Sequence, residues 1–120
     1  MTQKSGQGDT IFSKIISREV PAAIVFENEN VLAFKDVYPK APIHILVIPK
    51  KCIPNMNAVC SDDQELLGEM LVVATEIAKK EGLKESGYRL VINTGPDAGQ
   101  SVAHIHIHIL GGREMEWPPG

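Results

Sequence analysis

The sequence predicts a single α+β domain that combines a small sheet with two helices. Three features carry this prediction: an alternating run from Ala103 to Leu110, a strongly amphipathic segment after Ser61, and several short apolar segments bounded by turn residues. A chain of 120 residues has the length of one domain. We expect residues 9–120 to form this domain and residues 1–8, which are rich in Gln, Gly and Ser, to be disordered.

The N-terminal third of the chain is expected to form a short helix and a hairpin. Asp9 or Thr10 can cap the helix, and Pro21 ends it. Residues 24–26 and 31–36 flank a polar turn and are typical of two hairpin strands. The helix has an apolar face that needs a partner, either the sheet or a ligand pocket; this face comprises Ile11, Phe12, Ile15 and Ile16.

The middle of the chain supplies a buried strand and the longest helix. Residues 43–48 are apolar on both faces except at His44, which is typical of a central strand. Ser61 and Gln64 form a Ser-x-x-Gln capping box, and apolar residues recur on one helix face until Gly82 ends the helix. We therefore expect this helix to be core scaffold without a catalytic role.

The last two strands are expected at 88–92 and 103–110, and the second of them contains three of the four histidines. Because a strand points successive side chains to opposite faces, His104, His106 and His108 share one face and the isoleucines between them share the other. Three histidines in register are hard to explain as ordinary core residues. One face can therefore carry chemistry while the other packs.

A metal site is one interpretation of this histidine face. Residues four apart on a strand lie roughly 13 Å apart, whereas each zinc–nitrogen bond is only about 2.1 Å long. All three histidines of the strand therefore cannot bind one ion, although two of them together with His44 could. The cysteines, Cys52 and Cys60, show neither a metal-binding nor a disulfide spacing, which points to a reducing compartment.

Charge and hydropathy exclude several classes of function. The chain carries 12 Lys and Arg against 15 Asp and Glu, a net charge of -3, and its basic residues are scattered, so we expect no nucleic-acid partner. No segment approaches the roughly 20 apolar residues that span a membrane. The N-terminus lacks the apolar core of a signal peptide. We expect a cytoplasmic protein, or also a nuclear one in a eukaryote, with no membrane partner.

A phosphate ligand offers a second chemistry for the histidine face. The loop 93–102 precedes the histidine strand, and its backbone amides at Gly95, Gly99 and Gln100, with the hydroxyl of Ser101, could cradle an oxyanion. An ordinary hairpin connection is the alternative interpretation of this loop. The cradle is of interest because the loop leads directly into the first histidine of the strand.

The histidine face can supply a nucleophile, because a histidine with a pKa near 6.5 is largely neutral at about pH 7. Attack of the middle histidine, His106, on phosphorus would give a covalent phosphohistidine. His108 could bind phosphate oxygens and help to protonate the leaving group, and Ser101 and its neighbours could donate to the developing charge. His104 and His44 would then fix tautomers and orientation, and the reaction would need no metal.

The run His-Ile-His-Ile-His-Ile-Leu, from His104 to Leu110, resembles the motif of the histidine triad (HIT) superfamily, and the chain is most similar to the Hint branch of nucleotide-binding proteins. The resemblance extends from about Asp9 to Gly120, so residues 9–120 are expected to form one HIT domain. Further matching segments are Asp9-Thr-Ile-Phe-x-Lys-Ile-Ile, Ala33-Phe-x-Asp36, Ala41-Pro-x-His44, Gly99-Gln-Ser-Val102 and the terminal Trp117-Pro-Pro-Gly.

This resemblance implies a fold and an activity. The fold would be a five-stranded antiparallel meander, and two chains would join their sheets into a ten-stranded sheet in a homodimer. The activity would be that of a purine nucleoside phosphoramidase, which hydrolyses P–N bonds and releases AMP or GMP through a nucleotidyl-histidine intermediate. The ligand would be a purine nucleotide or nucleoside phosphoramidate, and no cofactor would be needed.

The resemblance also implies roles for individual residues. His106 would be the nucleophile, His108 would contact the phosphate and the leaving group, and His44 and His104 would support them. The tail at Trp117 is expected near the active site of the partner subunit. The nucleotide would be held at the phosphate and ribose by Asn93, Gly99, Gln100, Ser101 and Val102, at the ribose hydroxyls by Asp36, and at the base by Ile11, Phe12, Ile15, Phe34, Val37 and Leu46.

Two alternatives to the phosphoramidase stay open besides a zinc module. One is a dinucleoside polyphosphate hydrolase of the same superfamily, and the other is a nucleotide-binding interaction module with little turnover. Nucleotidyl transfer is disfavoured, because superfamily members with that activity carry Gln where this chain has His108. The chain has Tyr38, Ala98 and Ala103 where Ser, Gly and Tyr are usual in the family. The first two departures bear on the pocket rim and the phosphate loop.

Overall fold

The computed structural model describes residues 10–120. The predictions for residues 1–8, and for Asp9 as a helix cap, lie outside the described residues. Thr10 caps the first helix, since its hydroxyl accepts a hydrogen bond from the Ser13 N–H at 3.1 Å. The elements are, in order, α1 (Ile11–Ile16), β1 (Ile24–Glu27), β2 (Val31–Lys35), β3 (Ile43–Pro49), α2 (Gln64–Lys80), β4 (Tyr88–Val91) and β5 (Ile107–Gly111).

The five strands form one antiparallel sheet in the order β1-β2-β3-β5-β4. The predicted α+β fold, with one short and one long helix, is therefore confirmed. β1 to β3 follow one another as a meander, whereas α2 intervenes before β4, and β5 returns between β3 and β4. This order places the histidine-bearing strand against the central strand. Within residues 10–120 we find no helix with the length and apolarity that crossing a bilayer requires.

The sheet separates two apolar clusters. On one face lies α2, whose buried stripe consists of Met70, Val73, Ala74, Ile77 and Ala78. On the other face lies α1, which packs on the sheet through a cluster made of Phe12, Ile15, Leu32, Phe34, Leu46 and Ile48. β3 contributes to both clusters, Val47 to the first and Leu46 to the second. The prediction of a central strand buried on both faces is therefore confirmed.

The strand that carries the histidines is shorter than predicted. β5 begins at Ile107 rather than at Ala103, so His104 and His106 precede the ladder. The ladder cannot continue past the end of β3, because Pro49 has no N–H to donate. The Pro49 carbonyl is also occupied, since it accepts a hydrogen bond from Nε2 of His104 at 2.8 Å. The His104 side chain therefore bonds to Pro49 where a backbone hydrogen bond of the ladder would otherwise form.

The alternation of faces holds even where the ladder is absent. The N–H of Ile105 donates to the carbonyl of Ile53 at 2.7 Å, which fixes the segment before β5 to a loop instead of a strand. The isoleucines of the motif enter the cluster under α2: Ile105, Ile107 and Ile109. The histidines are thereby turned to the α1 face.

The start of α2 also differs from the prediction. The helix begins at Gln64 after a single 3₁₀ turn, and the Ser61–Gln64 capping box is wrong. The buried Asp63 takes this role, because its carboxylate accepts hydrogen bonds from the Cys60 N–H at 3.1 Å and from Nζ of Lys51 at 2.6 Å. An N–H donates a stronger hydrogen bond to an ionised carboxylate than to the neutral amide oxygen that Gln64 would offer, which favours the box closed by Asp63.

Several strand ends differ from the prediction by one residue. β2 and β4 end one residue earlier than predicted, and β1 and β3 end one residue later. Asp36 therefore lies just beyond β2 rather than inside it. Its N–H still donates to the His44 carbonyl at 3.0 Å, so the acid stays next to β3.

Candidate functional site

All four histidines of the chain converge on the α1 face of the sheet. β3 supplies His44 and β5 supplies His108, and the register of these neighbouring strands brings the two rings together. The segment before β5 supplies His104 and His106, whose ring centroids lie 6.1 and 5.0 Å from that of Phe12 in α1. The fourth histidine thus joins the three of the motif in one site.

Hydrogen bonds fix the tautomers of His44 and His108. The N–H of Lys40 donates to Nδ1 of His44 at 3.0 Å, so neutral His44 carries its proton on Nε2. That Nε2–H lies 2.9 Å from Nδ1 of His108 and donates to it, which places the proton of neutral His108 on Nε2. Nε2 of His108 makes no hydrogen bond within residues 10–120. The pair therefore presents one unused N–H donor.

The tautomer of His106 is fixed in the opposite sense. Its Nδ1 lies 2.8 Å from the carbonyl oxygen of His104. Because a carbonyl can only accept, Nδ1 of His106 carries the proton and Nε2 carries a lone pair. The ring stands nearly perpendicular to that of Phe12, at 87°, and is only 5% exposed. His106 therefore offers an oriented, unprotonated nitrogen, which nucleophilic attack requires.

His104 is a positioning residue. It is fully buried, and its Nε2 donates to the carbonyl of Pro49. The backbone carbonyl of His104, rather than its ring, orients His106. Its side chain anchors the segment before β5 to the end of β3 and lines neither of the clefts described below.

Burial lowers the pKa of all four histidines. The pKa of His108 falls to about 4, because burial is reinforced by the neighbouring His106 and His44. The carboxylate of Asp36 acts in the opposite direction on the pKa of His108, but burial is the larger effect. The site therefore holds neutral imidazoles at about pH 7, the state that the tautomers above require.

Acidification should destabilise the protein through these histidines. An unfolded histidine titrates near pH 6.5, and the folded values are lower, so the folded state binds fewer protons between them. The free energy of unfolding is at its full value above about pH 6.5 and falls as the pH drops toward about 4. We expect circular dichroism to give a lower melting temperature at about pH 5 than at about pH 7.5, with a smaller difference in His108→Asn. Equal wild-type melting temperatures would contradict this.

One of two clefts beside the histidines is mainly apolar, and we call it the apolar cleft. Its volume is about 390 Å³, which lies within the range of small-molecule sites. All the residues predicted for the base line it, together with residues predicted for phosphate, ribose and catalysis. These lining residues are Ile11, Phe12, Ile15, Phe34, Val37 and Leu46, and then Asp36, Ser101, Val102, His106 and His108.

The second cleft also borders His108, and we call it the polar cleft because seven of its nine lining residues have polar side chains. Its volume is also about 390 Å³. It contains Asn93, which the sequence predicts as a phosphate or ribose contact. Its walls are formed by Asp36, Tyr38, Lys40, His44, Val91, Asn93, Ser101, His108 and Leu110. Four residues border both clefts: Asp36, Tyr38, Ser101 and His108.

The loop before the histidine segment is not the predicted amide cradle. The N–H of Gly95 donates to the side-chain oxygen of Gln100 at 3.0 Å, and the N–H groups of Gly99 and Gln100 donate to carbonyls within the loop. The side-chain nitrogen of Gln100 donates to two backbone carbonyls at 2.7 and 2.9 Å. Gln100 therefore holds the loop together, and neither it nor Gly99 lines either cleft. Ser101 is the residue that this loop presents to both clefts.

Asp36 lies at the junction of the two clefts. One carboxylate oxygen accepts a hydrogen bond from the Tyr38 N–H at 2.9 Å, and the other lies 3.4 Å from Nε2 of His44. Asp36 therefore starts the turn after β2, as acids commonly do, and also faces the histidine site. Its two sequence-based interpretations are compatible.

Trp117 lies away from both clefts. Its side chain is 81% exposed, and the guanidinium carbon of Arg89 lies 5.9 Å from its ring centroid. The expected position of the tail near a partner's active site stays a prediction.

Several lining residues carry no signal in the sequence that predicts them as site residues. Lys40 belongs to the turn between β2 and β3, where polar residues are common. Tyr38 lies in the same turn and stands out only because the family usually has Ser at this position. The only cue for Lys40 is that it lies four residues before His44. In the structure the N–H of Lys40 donates to the ring of His44. The apolar cleft also includes the segment before β1, namely Val20, Pro21 and Ala22.

A family model and several known proteins similar to this chain carry the HIT description. A family model described as HIT domain matches residues 17–115. An uncharacterised HIT-like protein of Synechococcus elongatus is 59% identical over 112 residues, which cover 93% of this chain and 97% of that protein. A 14 kDa zinc-binding protein of Zea mays is 54% identical over 113 residues, which cover 92% of this chain and 88% of that protein. The crystal structure of a HIT family hydrolase from Legionella pneumophila matches with a TM-score of 0.92 and 54% identity, covering 93% of this chain and 100% of that chain.

Proposed function

The chain belongs to the HIT family, and we propose that it is a purine nucleoside phosphoramidase that releases AMP or GMP from substrates with a P–N bond. Solved structures similar to it include HIT family hydrolases. One observation carries the proposal: the lone pair on Nε2 of His106 and the unused Nε2–H of His108 belong to residues that line one cleft of nucleotide size.

The apolar cleft suits a nucleoside. Phe12 and Phe34 meet edge to face with a centroid distance of 5.4 Å and give the cleft an apolar wall for a purine ring. Asp36 borders this cleft and can accept hydrogen bonds from ribose hydroxyls. A nucleoside bound in this way has its phosphate beside Ser101 and the two histidines at the polar end of the cleft.

In the first step, Nε2 of His106 attacks phosphorus and the P–N bond of the substrate breaks. The nucleotidyl-His106 is then an imidazolium whose Nδ1–H still donates to the His104 carbonyl. Nε2–H of His108 donates a hydrogen bond to the departing nitrogen, which gains one proton and leaves as an amine. Because His44 keeps Nδ1 of His108 an acceptor, His108 stays neutral and the net proton comes from solvent.

In the second step, water takes the place of the amine and attacks phosphorus. The bond from phosphorus to His106 breaks, which releases the nucleoside monophosphate and restores the lone pair on Nε2. One proton passes to solvent and balances the proton taken up in the first step. The hydroxyl of Ser101 and the N–H of His108 donate to charged phosphate oxygens in both steps.

Adenosine 5′-phosphoramidate should be hydrolysed to AMP and ammonia over many turnovers in the presence of EDTA. The rate should not depend on the chelator, because each group used above belongs to the chain. Ion-exchange chromatography of AMP measures this rate. Tight AMP binding without turnover would contradict the proposal and favour an interaction module, and much faster hydrolysis of a diadenosine polyphosphate would favour the other hydrolase.

Zinc binding is a second candidate function, because Asp36, His44 and His108 each offer a ligand atom within 4.8 Å of the others. The maize relative is named as a zinc-binding protein. The hydrogen bonds oppose zinc, since a metal on Nε2 of His44 would move the ring proton to Nδ1, where it would meet the N–H of Lys40. The donor set therefore does not fit zinc. Elemental analysis of untagged protein tests this, and stoichiometric zinc would contradict it.

We also propose that the protein is a homodimer. β4 is an outer strand of the sheet, and an open edge can pair with another strand. Exposed apolar residues lie on α2, where Leu71 and Val72 are 44% and 55% exposed, and next to β4 at Ile92. Pairing of two β4 strands would produce the ten-stranded sheet. Analytical ultracentrifugation should give twice the mass of the chain, and a monomer would contradict the proposal.

A further inference from the structure

The polar cleft is adjacent to the reacting groups but is not needed to hold a nucleoside. It shares Asp36, Tyr38, Ser101 and His108 with the apolar cleft, so a ligand that reaches His108 from one cleft can continue into the other. Its volume of about 390 Å³ leaves room for a group well beyond a single nitrogen atom. The part of a substrate that this cleft would accept therefore lies beyond the phosphate.

The positions of His106 and His108 indicate which part of the substrate enters the polar cleft. His106 lines the apolar cleft but not the polar cleft, whereas His108 lines both. In a displacement at phosphorus the nucleophile and the leaving group lie on opposite sides. With His106 on the side of the apolar cleft, the leaving group points past His108 into the polar cleft.

One lysine lines the polar cleft, and two arginines lie next to it. Lys40 lines it, and Arg89 and Arg113 line an adjoining groove that shares the walls Val91 and Leu110. The two guanidinium groups donate to backbone carbonyls, Arg89 to that of Glu116 at 3.1 Å and Arg113 to that of Lys40 at 3.1 Å. Because a backbone carbonyl has no net charge, these hydrogen bonds do not neutralise the two guanidinium groups.

Acids also lie in this region of the described chain, since Glu116 lines the same groove as the two arginines, but none of them pairs with these cations. None of the three cations forms an ion pair with a carboxylate among residues 10–120. Asp36, the acid of the cleft, faces the Tyr38 N–H and the ring of His44. The polar cleft thus contains one acid, Asp36, and one cation, Lys40, which has no carboxylate partner among residues 10–120.

We propose that the polar cleft binds the leaving group and that Lys40 selects amines that carry a negative charge, such as a carboxylate. This inference rests on the proposed phosphoramidase function and specifies its substrate class. Tyr38, which is 76% exposed at the rim shared by both clefts, can cover the apolar part of such an amine. Lys40 is a specificity-determining residue in this account and takes no part in bond breaking.

Two matched substrates test the proposal: adenosine 5′-phosphoramidates of γ-aminobutyrate and of its uncharged carboxamide. We expect the wild type to hydrolyse the carboxylate with a kcat/KM about three- to fivefold higher, the strength of a partly exposed ion pair. Lys40→Gln should bring this ratio close to one, and added salt should lower it in the wild type. Lys84→Gln, which removes the same charge from an exposed site outside both clefts, should keep the ratio.

The outcomes separate this proposal from the function on which it rests. Turnover of both substrates with a wild-type ratio near one, or with a ratio unchanged in Lys40→Gln, would overturn the leaving-group assignment and leave the phosphoramidase intact. A higher kcat/KM for the carboxamide would do the same. No turnover of either substrate, or of the unsubstituted phosphoramidate, would overturn both.

Discussion

Replacing His106 by alanine should lower phosphoramidate turnover by about a thousandfold or more, a size typical of losing a catalytic nucleophile. Nδ1 of His106 donates to the His104 carbonyl, so Nε2 carries a free lone pair. The His106 ring lines the nucleotide-sized apolar cleft. Steady-state AMP release from adenosine 5′-phosphoramidate measures the loss.

Binding of AMP provides the control for this variant. The apolar wall formed by Phe12 and Phe34 and the carboxylate of Asp36 remain in His106→Ala, so calorimetry should show AMP affinity within about tenfold of the wild type, or about 1.4 kcal/mol. A turnover rate within tenfold of the wild type would remove His106 from the role of nucleophile.

Replacing His108 by alanine should lower turnover of alkylamine substrates by about 100- to 10,000-fold, the range for losing a group that assists proton transfer. The relay from Lys40 through His44 exists to present Nε2–H of His108, and that donor has no partner in the described chain. An amine leaves only with a proton, so this substrate class depends most on the donor.

A substrate that leaves without a proton is the control for His108→Ala. The p-nitrophenyl ester of AMP releases a stable phenolate, so its hydrolysis should fall much less than that of the amine in the same variant. Parallel kcat measurements on the two substrates provide the comparison. Equal losses would show that His108 acts on the phosphate alone and not on the leaving group.

Local patterns in the sequence predicted most of the scaffold. The His-Ile alternation predicted which side chains point to the α1 face and which enter the cluster under α2, and this holds for Ile105 even though it lies before the ladder. Thr10 is a helix cap recognisable from its own neighbourhood. The apolar run of β3 predicted a strand buried on both faces. Each of these features depends on residues close together in the chain.

Two of the errors, both next to the site, involve partners that are distant in sequence. The start of β5 depends on Pro49, whose carbonyl is taken by His104 across 55 positions. Gln100 turns away from the ligand site because a carbonyl 46 positions away, that of Pro54, accepts its side-chain N–H. No periodicity or spacing rule contains such pairs.

Contacts between distant residues also limited what the sequence could predict about the site. The alternating pattern and then the family resemblance identified the histidines, but their tautomers follow from backbone groups of Lys40 and His104 that carry no sequence signal. Lys40 and Tyr38 line the polar cleft because the turn after β2 folds back over His44. Their part in substrate selection therefore emerges only once both clefts are seen to border His108.

The covalent nucleotidyl-His106 intermediate determines the stereochemical course of the reaction at phosphorus, which can be measured. The substrate is an adenosine 5′-phosphorothioamidate of one configuration, hydrolysed in water labelled with a heavy oxygen isotope. The displacement by His106 and the later displacement by water each invert the configuration at phosphorus, so we expect net retention in the product. Net inversion would show that water attacks the substrate directly, and it would contradict the covalent mechanism.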